Sequence, residues 1–250
     1  MFQTKNLLSV SRDSKTVKGE KLGFLTGILY LAPASTTKYN TCAMSTIAQC
    51  AEACLYTAGR GAMNCTKRGR INKTIWFFEE RETFMHKLCK NIQSLINKAT
   101  RMGLTPLLRL NGTSDIKWEN VSFTINDTFY NNIFEAFPDV AFYDYTKIAN
   151  RDNIPSNYDL TFSYSGVISY QKYVNIARAK GMRIAVVFRS VSIIPTTFMG
   201  LPVIGGDNSD IRHVEPKNTI VALYAKGAAK RDTTGFVVDS AYRTIALRMA

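Results

Sequence analysis

The sequence predicts an α/β protein: a TIM-like parallel (β/α) barrel or partial barrel of six to eight strands with peripheral helices, formed by 1–250 as a single domain. Three observations predict it. Short apolar runs recur seven times in about 200 residues, several followed by helical spacing or a long connection, which is the rhythm of parallel strands joined by crossovers. Two runs, Ile184 to Phe188 and Ile220 to Leu223, are apolar without a break, as strands buried on both faces are. Each run also ends in small or polar residues, and a parallel barrel keeps its chemistry at the carboxyl ends of its strands.

The first strand is read in GFLTGILYLAP, closed by Pro33 and a Ser/Thr-rich turn. A cysteine-bearing loop is inserted at about 40–66. A helix follows, with Phe84, Leu88, Ile92, Leu95, Ile96 and Ala99 at helical spacing and Gly103 as its stop. Its start is placed after a break near Phe78, because the run Ile75 to Phe78 sits awkwardly on the apolar face. TPLLRL is the second strand and ends in NGTSD, Asn111 to Asp115. DVAFYDY is the third and YDLTFSYS the fourth, with a helix in SYQKYVNIARAKG stopped by Gly181. MRIAVVF, LPVIGGD and TIVALYAKG complete the set.

The formal net charge of +13 favours polyanionic partners, DNA or RNA foremost. The bland alternative is a basic surface that keeps the protein soluble. The charge is uneven: 11 basic and 3 acidic residues lie between Arg60 and Arg109. Its densest run sets Lys67, Arg68, Arg70 and Lys73 beside Trp76, Phe77 and Phe78. Cations beside aromatics can grip phosphates while bases stack; the competing reading buries the aromatics in the core and leaves only the charges wet. No run reaches the roughly 18 apolar residues of a membrane helix. The start lacks a secretory signal's apolar core and cleavage site. The expectation is a soluble, cytoplasmic protein with no membrane partner.

Four of the five cysteines, Cys42, Cys50, Cys54 and Cys65, fall within 24 residues. Clustered cysteines in a cytosolic setting seldom mean disulfides, and an odd total suits a closed framework poorly. Metal or iron–sulfur ligation therefore leads over unrelated buried thiols. Only the Cys50/Cys54 pair has zinc-knuckle spacing, so a zinc site needs Cys42 and Cys65 as well. Other catalytic classes find little support. There are two histidines, His86 and His213, and neither a phosphate-binding GxxxxGK[ST] run nor a GxGxxG pattern occurs. SYSG is not a hydrolase elbow.

A thiol loop directly after the first strand of a parallel barrel resembles the cluster loop of the radical S-adenosylmethionine superfamily. With RINKTIWFF, LLRLNGTSDI and FYDYTK, the loop most resembles bacteriophage-encoded proteins of unassigned activity carrying a C-x(6–7)-C-x(2–3)-C pattern, over about residues 20–225. The resemblance implies a [4Fe–4S] cluster on Cys42, Cys50 and Cys54, with S-adenosylmethionine at the open iron. Cys65 is a possible fourth ligand that would close that iron. The gaps of seven and three residues depart from the superfamily's commoner three and two. NGTSD stands where its glycine-glycine-acid motif would be. Asn111 and the backbone of Gly112 and Thr113 would orient the cofactor's amino group, with Asp115 nearby; the same residues are also ordinary turn formers. Further strand-end candidates for cofactor contact are Tyr145, Lys147, Ser163, Ser165 and Arg189, with Gly205, Gly206 and Asp207 after the sixth strand. Each alone also reads as a solvated surface residue. A phage origin would place the protein in the host cytoplasm. The rival reading is a non-enzymatic, basic nucleic-acid-binding protein on the same fold, with a structural zinc site or no metal.

Overall fold

All seven predicted strands form, and they form one sheet. The computed structural model describes residues 6–11, 14–34 and 36–239. Its strands are β1 (Leu8–Val10), β2 (Phe24–Leu29), β3 (Thr105–Arg109), β4 (Phe123–Ile125), β5 (Thr128–Tyr130), β6 (Ala141–Thr146), β7 (Tyr158–Ser163), β8 (Arg183–Phe188), β9 (Thr197–Phe198), β10 (Leu201–Gly205) and β11 (Ile220–Tyr224). Its helices are α1 (Ser14–Glu20), α2 (Asn64–Glu79), α3 (Arg81–Arg101), α4 (Ile133–Ala136) and α5 (Gln171–Ala179). Nine strands pair in the order β1-β2-β3-β6-β7-β8-β11-β10-β9, and β4 and β5 make a separate hairpin. The seven strands from β2 to β10 in that order are mutually parallel, while β1 and β9 add antiparallel edges. The chain is thus a mixed α/β protein built on a large, mostly parallel sheet. Its order follows the sequence up to β8 and then departs from it, because β11 sits between β8 and β10.

Helices cover one face of the sheet. Leu25, Leu108 and Phe142 point to that face and share a core with Phe84, Leu88, Ile92 and Leu95 of α3. Gly27 lets α3 come close, since a methyl group there would meet Leu95 Cδ2 at 2.9 Å. Further along, Ile184 and Val186 of β8 pack with Val174 and Ala177 of α5. The opposite face is more polar. Leu107, Arg109, Tyr143 and Tyr145 lie beneath the segment that returns from β10 to β11. There the Asp210 carboxylate accepts from Arg109 Nη1 (3.0 Å), Tyr143 (3.1 Å) and Tyr145 (3.2 Å). Arg212, fully buried, donates to the Tyr145 hydroxyl (2.8 Å), the Gly206 carbonyl (2.6 Å) and Glu215.

The predicted helix forms as α3, and a helix the sequence did not predict precedes it. The apolar spacing of Phe84 to Ala99 is met by α3, whose inner residues are fully buried. The break falls at Glu80 (φ −132°, ψ 59°), and a second helix, α2, precedes it. The inward face of α2 carries Arg70, Thr74, Trp76 and Phe77, so two polar side chains interrupt its apolar stripe. Thr74 is held inside because its hydroxyl accepts from the Ala32 amide at 2.8 Å. Among the described residues, no helix is long and apolar enough to cross a membrane.

Candidate functional site

The cysteine loop leaves the carboxyl end of β2 and folds over the carboxyl ends of its neighbours. Ala48 is fully buried with Tyr164, Val167 and Phe188, and Ala53 packs on Ala225, Ala229 and Val237. The Ser165 hydroxyl donates to the Ala48 carbonyl (2.9 Å) and fastens the middle of the loop to the end of β7. NGTSD fastens its start: the Thr113 hydroxyl bonds the Leu31 carbonyl (2.5 Å), and the Asp115 amide donates to the Thr41 carbonyl (2.8 Å).

Three thiols of this loop lie within electrostatic reach of one amine. Lys147 is half-buried just beyond β6, and Cys50, Cys54 and Cys42 all lie within its electrostatic reach, as does Asp115. Its Nζ donates to Ser163 Oγ (3.1 Å), the Ser163 carbonyl (3.2 Å) and the Tyr164 carbonyl (3.3 Å). The rings of Phe236 (4.7 Å) and Tyr170 (5.2 Å) flank the ammonium. Burial pulls this lysine below its ordinary range, while the thiols and Asp115 push the other way. Burial likewise lifts all three thiols, Cys42 to about 11; Lys147 pulls Cys50 back, and Arg70 and Lys147 pull Cys54 back. The metal-free thiols are therefore protonated at neutral pH, and a metal must displace their protons to bind.

Asp115, Lys147 and Ser163 are hydrogen-bonded to one another's chain segments near Cys42, Cys50 and Cys54, Thr113 and Ser165 contact the thiol loop, and the remaining sequence candidates lie elsewhere. Cys65 is exposed on the first turn of α2. The Asn111 side chain is engaged inside its own loop, accepting from Ser114 (2.9 Å), the Ile116 amide (2.9 Å) and Trp118 Nε1 (3.1 Å). It is an organiser of the turn and offers no free acceptor to a cofactor. Gly112 is closed off too, since a Cβ there would lie 2.5 Å from the Tyr30 ring. The Thr113 carbonyl does face the site, 3.8 Å from Cys42 Sγ. Tyr145 belongs to the buried network around Asp210. Arg189 holds the chain's last described segment, donating to the carbonyls of Ala229 (2.9 Å), Lys230 (2.8 Å) and Asp232 and to Asp239 Oδ1 (2.6 Å). Asp207 pairs with Lys226 at 2.6 Å.

The basic run on α2 divides as well. Arg68 is exposed, whereas Arg70 is buried over the rings of Tyr30 (4.9 Å) and Tyr56 (5.6 Å). Lys73 donates to the Leu7 carbonyl (3.3 Å), and burial lowers it to about 8. Trp76 and Phe77 are core residues. Four cations beside accessible aromatics are thus not what this helix presents.

Sequence reasoning did not reach Arg70, Tyr170 or Phe236 as neighbours of the thiols. Phe236 lies 89 positions from Lys147 in a segment with no strand pattern of its own, brought there by the pairing of Val238 with the end of β8 and of Gly235 with Gly166.

The donor set suits an iron–sulfur centre in kind: three soft thiols on one loop, with cationic neighbours to balance thiolate charge. Among the described residues, no three His, Cys, Asp or Glu side chains stand placed to hold one metal ion. A single zinc would need its sulfurs about 3.8 Å apart, from zinc–sulfur bonds of about 2.3 Å in a tetrahedron. A cubane cluster spreads its ligands over separate corners and asks less convergence of them.

A family model described as Gene product 88 matches residues 5–240, nearly the whole chain. That description fits the phage-encoded character the sequence resemblance implied, while no radical S-adenosylmethionine family model matches. No curated protein and no solved structure matches the chain.

Proposed function

The chain belongs to the Gene product 88 family, and from that premise and the geometry of its thiol loop we propose an iron–sulfur protein of radical S-adenosylmethionine type, acting in the cytoplasm of a phage host. The observation that carries this reading is the loop bearing Cys42, Cys50 and Cys54, which leaves the carboxyl end of β2 and is fastened over the carboxyl ends of neighbouring parallel strands by Ser165 at Ala48 and Asp115 at Thr41. Helices on one face and a polar, filled opposite face support reading the sheet as a partial barrel with its mouth there.

In this reading the three thiols are the cluster ligands, and 1–250 acts as one domain with the loop at about 40–66 as its lid. When bound, the cluster would supply single electrons to a sulfonium cofactor at its open iron. The protein does the rest. Lys147, held by three oxygen acceptors and two rings, offsets the negative charge that the thiolates bring into a buried setting. Arg70 does the same beside Cys54. The Thr41 hydroxyl (3.7 Å) and the Thr113 carbonyl (3.8 Å) are polar groups beside Cys42 Sγ. Exposed Cys65 leaves one iron open.

Anaerobic purification followed by iron, sulfide and zinc analysis tests the reading. Iron and sulfide near four per chain, lost in Cys42→Ala, Cys50→Ala and Cys54→Ala but kept in Cys65→Ala, is the expected result. Zinc near one per chain, lost with any of the four, would instead establish the structural-zinc alternative. No metal after anaerobic reconstitution would refute both.

A further inference from the structure

Two basic turns far apart in sequence meet at the rim of this mouth. The 3-10 turns Leu55–Thr57 and Gly59–Ala62 end the cysteine loop, and the 3-10 turn Gly227–Arg231 follows β11. They pack directly: the Ala228 amide donates to Thr57 Oγ1 at 3.2 Å, and a methyl group on Gly227 would lie 3.0 Å from Ala58 Cα. Gly227 also has φ +56°, so glycine suits that position twice over. The chain runs directly on into α2, with the Met63 amide bonded to the Arg60 carbonyl (3.3 Å) and the Lys67 amide to the Met63 carbonyl (3.0 Å).

The packing places Arg60, Lys67 and Arg68 on one side of the contact and Lys230 and Arg231 on the other. Arg60, Arg68, Lys230 and Arg231 are exposed, and Lys67 is half-buried over the Tyr56 ring at 5.5 Å. Opposing charge is sparse. Glu52 is exposed, exposed Asp239 is paired with Arg189 (2.6 Å), and Asp232 is buried and accepts from Thr234 Oγ1 (2.7 Å) and the Val237 amide (3.0 Å). Between the cations, Leu55 (54%) and Met63 (53%) stand open to solvent. Five cations and two open apolar side chains on these packed turns match a strand whose phosphates and bases are both accessible.

We propose that this rim binds the sugar–phosphate backbone of a single-stranded nucleic acid and delivers it to the mouth. This names a substrate class for the thiol site. Docking itself needs no metal, so it is measured on the metal-free full-length chain while metal content is read separately, and either reading can fail alone. The assay is fluorescence anisotropy with a labelled 20-nucleotide oligonucleotide across a salt series. Five phosphate contacts predict a slope of log K against log[salt] of about −3.5. Replacing Arg60, Lys230 and Arg231 together with Ala should reduce the slope by about 2, while Lys90→Ala/Arg101→Ala on the exposed side of α3 leaves it unchanged. Absence of binding at low salt would overturn the proposal. So would an equal loss in the α3 control, which would mean diffuse attraction by overall charge. Duplex bound as tightly as single strand, with the same response to the rim variant, would overturn the single-strand assignment.

Discussion

Arg189 offers the sharpest test of how the mouth is assembled. Its guanidinium joins the end of β8 to three carbonyls and one carboxylate of 229–239, and the same stretch pairs through Val238, whose amide donates to the Val187 carbonyl at 2.8 Å. Arg189→Met keeps the aliphatic stem and removes every one of these donors. Charge-assisted hydrogen bonds contribute about 1.5–3 kcal/mol when buried. The Arg189 side chain is 27% exposed, so water can replace part of the loss. For the set we expect about 2 kcal/mol, felt locally, which is a roughly thirty-fold shift in the opening equilibrium. Native-state hydrogen exchange read by mass spectrometry should show peptides covering 229–239 exchanging about thirty-fold faster, with β6 and β7 unchanged. Arg189→Lys should fall between, because one ammonium cannot reach four acceptors in a planar fork. Unchanged exchange in 229–239 would refute the clamp. Equal acceleration throughout the sheet would show that Arg189 supports the whole fold and not this segment.

Gly112→Ala would push a methyl group to 2.5 Å from Tyr30 Cδ1 and 2.8 Å from Ile28 Cγ2; overpacking of this kind costs about 1–3 kcal/mol, so thermal unfolding should shift down by several degrees, and an unchanged midpoint would contradict the packing. Asp144 is fully buried and burial lifts its carboxyl to about 7, against the pull of Arg109, the Asn111 amide and Tyr158. Between the ordinary carboxylate range and pH 7 the folded state then holds a proton the unfolded chain has released, so stability falls as pH rises through that window, by something on the order of 3 kcal/mol. Asp144→Asn should flatten the pH dependence of the unfolding midpoint between pH 4 and 7; parallel curves for the two proteins would refute the assignment. The metal analysis of the cysteine variants and the salt series on the rim variants complete the set.

Strands and the α3 stripe were readable because each is a local pattern. Ile184 to Phe188 is apolar on both faces, and Phe84 to Ala99 repeats every three or four residues, so burial follows from spacing alone. Helix α2 was not readable, because Arg70 and Thr74 occupy its inner face. A buried arginine stacked between Tyr30 and Tyr56 has the same letter as a solvated one. The site divides along similar lines. Cysteine spacing marked the loop, and strand ends marked Lys147 and Ser163, since side chains at the ends of adjacent parallel strands must share one edge. Tyr145 and Arg189 also sit at strand ends, yet one turns toward Asp210 and the other toward 229–239. Strand-end position fixes which edge a residue lies near, but its partners depend on segments 40 or more positions away that carry no periodic signal.

The exchanged order of the last two parallel strands constrains how the protein can emerge from the ribosome. Everything from β2 through β8 can dock in the sequence in which it is translated, each new strand finding its neighbour already in place. β10 can pair with β9 at once but cannot join the parallel sheet until β11, the strand between it and β8, has followed it out. The stretch from β9 to the β11 turn, with its own β9–β10 pairing, therefore joins the sheet in one late step. That step also delivers Asp210 and Arg212 beneath the finished sheet and Lys230 and Arg231 to its rim, so a nascent chain halted before β11 would lack both.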